Sequence, residues 1–320
     1  MIYDSILECI GRTPVVRLNR LFPTGGVEVL AKLEFLNPGG SIKDRPAKHI
    51  IEQGLRSGAI TGRSRLVEST SGNFGIALAM VAKIYNLTFT AVIDPNISPA
   101  NLAILRNLGA CIDLVTAEDA AGGYLHSRIS RVAEIVAGDP DAFWINQYAN
   151  ELNQAAHYSH TAEELIDDLE TAPDVLVVAV STGGTIVGTA RRMRIEYPGL
   201  IVIGVDSVGS VIFGGPPGTR RLPGIGASRR PELIDLGVID RVVHVTEPDC
   251  IAACHDLLTQ EGILAGASSG AVIAAVRGLL PLLPERSRVV TLFPDRGERY
   301  LDLVFPAAEQ LDIQKRGEER

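Results

Sequence analysis

Hydrophobic positions along this chain change their period in a regular way. Short apolar or alternating runs at 15–18, 27–33, 65–68, 88–93, 111–115, 143–146 and 174–180 read as strands. Between them, apolar residues recur at helical spacing over 44–54, 73–85, 99–108, 124–136 and 150–169, after a short helix near the start. This alternation predicts an α/β chain with a parallel sheet wrapped by helices, and the strand at 174–180 opens a second set of the same kind. Two doubly wound units with a cleft between them are therefore expected. No fixed-period repeat interrupts the pattern. Residues 207–230, rich in Gly, Pro and Arg, follow neither period, and so long an irregular stretch reads as a binding loop. The charged tail after about Gln310 is expected to fray.

The chemistry-bearing residues collect where predicted strands hand over to helices. Asn37-Pro38-Gly39-Gly40-Ser41-Ile42-Lys43 places a lysine in a tight turn just before the first long helix. Glycines there let backbone approach another group closely, and a lysine so held is a candidate Schiff-base nucleophile, although a solvated lysine after a glycine turn reads the same way. Ser181-Thr182-Gly183-Gly184-Thr185 follows the strand at 174–180 and opens a helix, so its N–H groups form an anion cradle to which two threonine hydroxyls add donors. Ser69-Thr70-Ser71-Gly72-Asn73-Phe74-Gly75 also opens a helix, where hydroxyls and free N–H groups suit a carboxylate or simply cap the turn. Gly266-Ala267-Ser268-Ser269-Gly270 opens a fourth.

These four motifs, in this order and spacing, resemble the cysteine synthase and cystathionine β-synthase family of pyridoxal 5′-phosphate (PLP) enzymes, from about Ile10 to about Leu303. The resemblance implies fold type II, the tryptophan synthase β-like arrangement. It also implies a smaller, mobile α/β domain at 39–148 and a larger α/β domain made of 1–38 and 149–320. It assigns Lys43 to the covalent link with PLP and to proton transfer, Ser181, Thr182, Gly183, Gly184 and Thr185 to the phosphate, and Asn73 to the 3′-oxygen. Ser268 is set against the pyridine nitrogen, with Ser269 as the alternative register. Thr70, Ser71 and Gly72 are assigned to the α-carboxylate of the amino-acid substrate. A neutral hydroxyl at the pyridine nitrogen makes a weaker electron sink than a carboxylate partner would, which suits β-elimination and β-replacement. Family members pair as homodimers, so a homodimer is expected.

Departures within the motifs point to the second substrate. Ser181 stands where cysteine synthases usually carry Gly, Phe74 where they carry Thr, and Tyr148-Ala149-Asn150-Glu151 where they carry an aromatic-Glu-Asn-Pro run. The combination is most similar to the branch that joins O-phospho-L-serine to L-glutamate on the way to L-2,3-diaminopropionate for siderophores or peptide antibiotics. A cysteine synthase using O-acetyl- or O-phosphoserine with sulfide is the alternative, and a PLP-binding scaffold without catalysis a more distant one. Glutamate brings two carboxylates that are costly to bury unpaired. Tyr148 and Ser181 supply hydroxyls for it, and Arg220, Arg221, Arg229 and Arg230 are candidate clamps, of which one or two are expected to point inward.

Composition narrows the partners. The chain has 320 residues, 46% apolar content and a formal net charge of −8, with no long basic run, which argues against nucleic acid and for small-molecule substrates. No apolar run approaches the ~18 residues needed to span a bilayer and no signal peptide is evident, so a cytoplasmic protein is expected. Cys9, Cys111, Cys250 and Cys254 are expected as buried or half-buried free thiols, and no metal site is expected. His157 and His160, three apart on a predicted helix, are expected at the surface or an interface.

Overall fold

The computed structural model describes residues 2–23, 26–119 and 123–306; the tail after Gln310 lies outside the described residues. In chain order the elements are β1 (Val15–Arg17), β2 (Glu28–Lys32), α1 (Asp44–Ser57), β3 (Arg65–Ser69), α2 (Asn73–Ile84), β4 (Thr88–Ile93), α3 (Pro99–Asn107), β5 (Cys111–Leu114), α4 (Leu125–Gly138) and β6 (Ala142–Trp144). They continue with α5 (Glu151–Ala156), a π turn (His157–Thr161), α6 (Ala162–Asp168), β7 (Val175–Ala179), α7 (Gly184–Glu196), β8 (Ile201–Ser207), β9 (Arg241–Val245), α8 (Glu247–Asp256), α9 (Ala267–Leu279) and β10 (Arg288–Leu292). Every strand expected from the pattern is present to within a few residues. The first short helix is a single 3₁₀ turn, Ile6–Cys9.

Two sheets result. One is four-stranded and wholly parallel, in the order β5-β4-β3-β6. The other is six-stranded, β1-β2-β10-β7-β8-β9, and parallel except for β1, which runs antiparallel to β2. The late strand β10 enters between β2 and β7, so the chain's first and last thirds share one sheet. Helices α2 and α9 are alanine-rich and buried on nearly every face, and each lies within a separate core cluster. Among the described residues no helix is long and apolar enough to cross a membrane.

The turn carrying Lys43 is fixed from several sides. Gly40, at φ +79°, donates its N–H to Asn37 O at 2.7 Å, and Ile42 N–H donates to Pro294 O at 2.8 Å, tying the turn to the segment after β10. Asp44 accepts from Gly39 N–H at 2.5 Å; a Cβ on Gly39 would stand 2.3 Å from that carboxylate, so only glycine fits there. As the second residue of α1, the buried Arg45 donates from its guanidinium to Glu34 at 2.6 and 2.7 Å and to Glu164 of α6 at 2.6 Å from two nitrogens. Glu34 also accepts from Thr13 Oγ at 2.6 Å and Asn37 Nδ2 at 3.0 Å, which leaves none of this charge bare.

Two sequence expectations are corrected. The helix at 150–169 is interrupted by the π turn, and His157 on that turn is fully buried instead of lying at a surface. Cys9 and Cys111 are exposed, because both sit at element ends, whereas Cys250 and Cys254 are buried on α8. Arg45→Met is expected to destabilise the protein by about 3–5 kcal/mol, because it strands the Glu34 carboxylate in the interior. Chemical denaturation of the two proteins side by side measures the difference.

Candidate active site

One cavity collects most of the predicted site residues. Lys43, Asn73, Ser181, Thr182, Gly183, Thr185 and Ser268 line it, with Ile42, Asp295 and the ends of β7 and β10 completing its walls. The residues come from α1, α2, α7 and α9 at or near the helix starts, where N–H groups have no intrahelical partner. Gly184 is buried as the first residue of α7. Thr70, Ser71 and Gly72 precede Asn73 on the loop beside the cavity without lining it, and Tyr148 lies outside it as well.

The anion cradle has a tight local explanation. Gly183 holds φ +89°, which an L side chain rarely adopts, and a Cβ there would meet Ile234 at 2.7 Å. A Cβ on Gly184 would stand 2.3 Å from Asn153. Both glycines are thus required by space, and they turn the start of α7 toward the cavity. Ser181 Oγ reaches Gly226 O at only 3.4 Å, which leaves the hydroxyl available to the cavity.

Burial lowers the Lys43 ammonium to about 8, with the Asp295 carboxylate opposing that shift. Asp295 is the residue that sequence reasoning missed. It accepts from Asn73 Nδ2 at 2.7 Å and from Tyr300 Oη, and its Oδ1 is buried without a partner. Its position just past the C-terminal end of a parallel strand, where ligands gather in such sheets, was the available signal. Arg128 of α4 was also missed: it donates to Ser71 Oγ at 2.8 Å and pairs with Asp94 at 3.2 Å, bringing a cation to the substrate loop.

Of the four candidate arginines, Arg229 lies over the Tyr148 ring, 5.5 Å from its centroid, while pairing with Glu232. Arg220 is half-buried and bonds Ser228 Oγ at 2.9 Å. Arg221 is exposed on Glu247, and Arg230 donates to Ile212 O at 2.7 Å. Tyr148 is half-buried, and burial pushes its phenol up.

A half-buried lysine of lowered basicity, an anion cradle and a neutral serine facing one cavity are the fittings for an aldehyde-bearing phosphate cofactor. The model of the pyridoxal-phosphate dependent enzymes matches residues 6–295. This chain belongs to that family. The enzyme's cofactor is PLP, and the residues present fit it. It is 55% identical over 305 residues, covering 95% of this chain and 90% of the relative, to an N-(2-amino-2-carboxyethyl)-L-glutamate synthase of Ralstonia nicotianae. A protein of the same name from Cupriavidus metallidurans is 54% identical over 96% of this chain and 91% of its own length. Among solved structures, an O-acetylserine dependent cystathionine β-synthase from Helicobacter pylori superposes with a TM-score of 0.88 at 35% identity, covering 96% of this chain and 100% of that one. An O-ureido-L-serine synthase gives 0.88 at 30% identity, over 98% and 100%. The fold is therefore fold type II, as the motifs implied.

The enzyme's lysine sets a pH test. Only the neutral amine attacks an aldehyde, so PLP uptake by the apoprotein is expected to rise with a midpoint near pH 8 instead of near 10.5. Asp295→Asn removes the carboxylate that opposes the shift and is expected to lower that midpoint. The folded-state value lies below the unfolded one, so stability of the apoprotein gains from this group as pH rises from about 8 toward 10.5. Absorbance of the bound cofactor, followed after mixing across pH, checks the uptake.

Proposed function

We propose that this enzyme joins O-phospho-L-serine to L-glutamate, forming N-(2-amino-2-carboxyethyl)-L-glutamate and releasing phosphate. The observation that carries the reading is the identity of about 55%, over nearly the whole chain, with relatives named as synthases of that product. Ser181 and Phe74, where cysteine synthases usually carry Gly and Thr, support it over sulfide as nucleophile. PLP, when bound, supplies the aldehyde and the ring that accepts electron density from the substrate's α-carbon.

The chain's own residues then divide the work. Lys43 Nζ holds the cofactor, takes the proton from the substrate α-carbon and later returns it to the same carbon. Thr70, Ser71 and Gly72 hold the α-carboxylate at the N-terminus of α2. The C–O bond at the β-carbon breaks and phosphate departs; the glutamate amine forms the new C–N bond there and gives up a proton. Ser181 to Thr185 anchor the phosphate of the cofactor, Asn73 its 3′-oxygen and Ser268 its ring nitrogen. Tyr148, with Arg229 against its face, and Ser181 serve the glutamate carboxylates.

The four-stranded sheet with its helices, 39–148, is the smaller unit in this reading, and 1–38 with 149–320 the larger. Substrate held by Thr70–Gly72 draws the smaller unit inward and excludes water. The enzyme acts as a cytoplasmic homodimer paired through the larger unit, in a route to L-2,3-diaminopropionate for a siderophore or peptide antibiotic.

The test is phosphate release from O-phosphoserine with glutamate or sulfide as second substrate. Rapid turnover with glutamate and product of the expected mass is expected; discharge by sulfide alone would restore the cysteine synthase alternative. Lys43→Ala is expected to fold but not turn over. Ser181→Gly and Tyr148→Phe are each expected to lower kcat/KM with glutamate by about 10- to 150-fold, the loss of one hydrogen bond to a charged group. Steady-state phosphate assays measure all three.

A further inference from the structure

His157 is a fully buried titratable side chain that the reaction above does not employ. Its ring stands on the π turn between α5 and α6. Nδ1 is 3.0 Å from Thr161 Oγ and Nε2 is 3.2 Å from Thr185 Oγ. This approach depends on Gly188 of α7, where a Cβ would stand 2.2 Å from Gln154 O and 2.9 Å from His157 Cβ. Glycine there lets α7 lie against the π turn closely enough for the imidazole to reach the back of the cradle. The Thr182 hydroxyl of the loop is approached in a similar way: Asn153 Nδ2 donates to its Oγ at 3.4 Å.

A hydroxyl carries one hydrogen, and a phosphate dianion only accepts. When Thr185 directs its hydrogen to a phosphate, its oxygen must accept from the ring, so Nε2 carries the imidazole hydrogen. Nδ1 is then a bare lone pair, which the Thr161 hydroxyl satisfies. We propose that His157 is a positioning residue that fixes the direction of a Thr161-to-His157-to-Thr185 hydrogen-bond chain and so aims the Thr185 O–H at the phosphate of PLP. The proposal rests on the assignment of that phosphate to residues 181–185. Burial, with the positive charges of Lys43 and Arg45 nearby, pushes the imidazole well below its ordinary range and keeps the ring neutral. A protonated ring would donate from both nitrogens, so Nδ1 could no longer accept from Thr161.

The experiment uses holoenzyme labelled with ¹⁵N-histidine, with ³¹P spectra of the bound PLP and cofactor dissociation constants measured in parallel. The His157 resonances, assigned by their loss in His157→Gln, are expected to be those of a neutral ring protonated at Nε2. A ring protonated at Nδ1, or at both nitrogens, overturns the proposal. Thr161→Val keeps the shape of the side chain and removes its hydrogen, outside the cradle itself. It is expected to weaken PLP binding roughly 2- to 12-fold and to move the ³¹P shift, as the loss of one hydrogen bond would. Thr185→Val separates the two levels of the reading. If Thr185→Val weakens PLP binding and Thr161→Val changes neither quantity, the relay is wrong and the cradle stands. If Thr185→Val also leaves binding and the ³¹P shift unchanged, the phosphate assignment itself fails. Should His157→Gln not fold, Thr161→Val supplies the assignment through the ring whose shifts it perturbs.

Discussion

The Arg45 guanidinium is the constraint on which the active-site geometry depends. It is buried two residues beyond Lys43, and it ties the start of α1 to Glu34 before the glycine turn and to Glu164 on α6. A buried ion pair of this kind adds little net stability, because desolvation offsets much of the attraction. What it adds is position. With both carboxylates satisfied by the same planar fork, the turn has one low-energy placement relative to the helix that continues through the π turn to His157. Lys43 inherits that placement.

A second consequence is that the site is assembled from helix starts belonging to both sheets. Asn73 opens α2 beside the four-stranded sheet, whereas Ser181–Thr185 and Ser268 open α7 and α9 against the six-stranded one. Asp295, just past β10, bridges them by accepting from Asn73 and facing Lys43 electrostatically. Insertion of β10 between β2 and β7 brings the segment that follows it to the turn at Lys43, through the Ser41–Asp295 bridge.

Much of this was legible in the chain itself, for identifiable reasons. Strand and helix periods are local, and glycines such as Gly183 mark backbone conformations that other residues avoid, so the cradle and the order of elements could be read directly. Asp295, Arg128 and His157 could not. Their roles come from pairings distant in sequence, Asp295 with Asn73, Arg128 with Ser71 and His157 with Thr185, which no spacing records. The histidine misled for a further reason. A polar residue on an amphipathic helix reads as solvent-facing, and only close packing against Gly188 turns that face inward.

The central claim is that this turn presents Lys43, and no other lysine, to the cofactor. Lys32 is more deeply buried but is held by Thr13 O at 2.8 Å and Asp168 at 3.1 Å, away from the cavity, and Lys48 lies a turn further along α1 near Glu52. Borohydride reduction of the PLP-loaded enzyme, followed by proteolysis and mass spectrometry of the peptides, reads the attachment point directly. The account predicts a pyridoxyl group on Lys43 in near-stoichiometric yield. Its appearance on Lys32 or Lys48, or its absence from the peptide containing Lys43, would contradict the account.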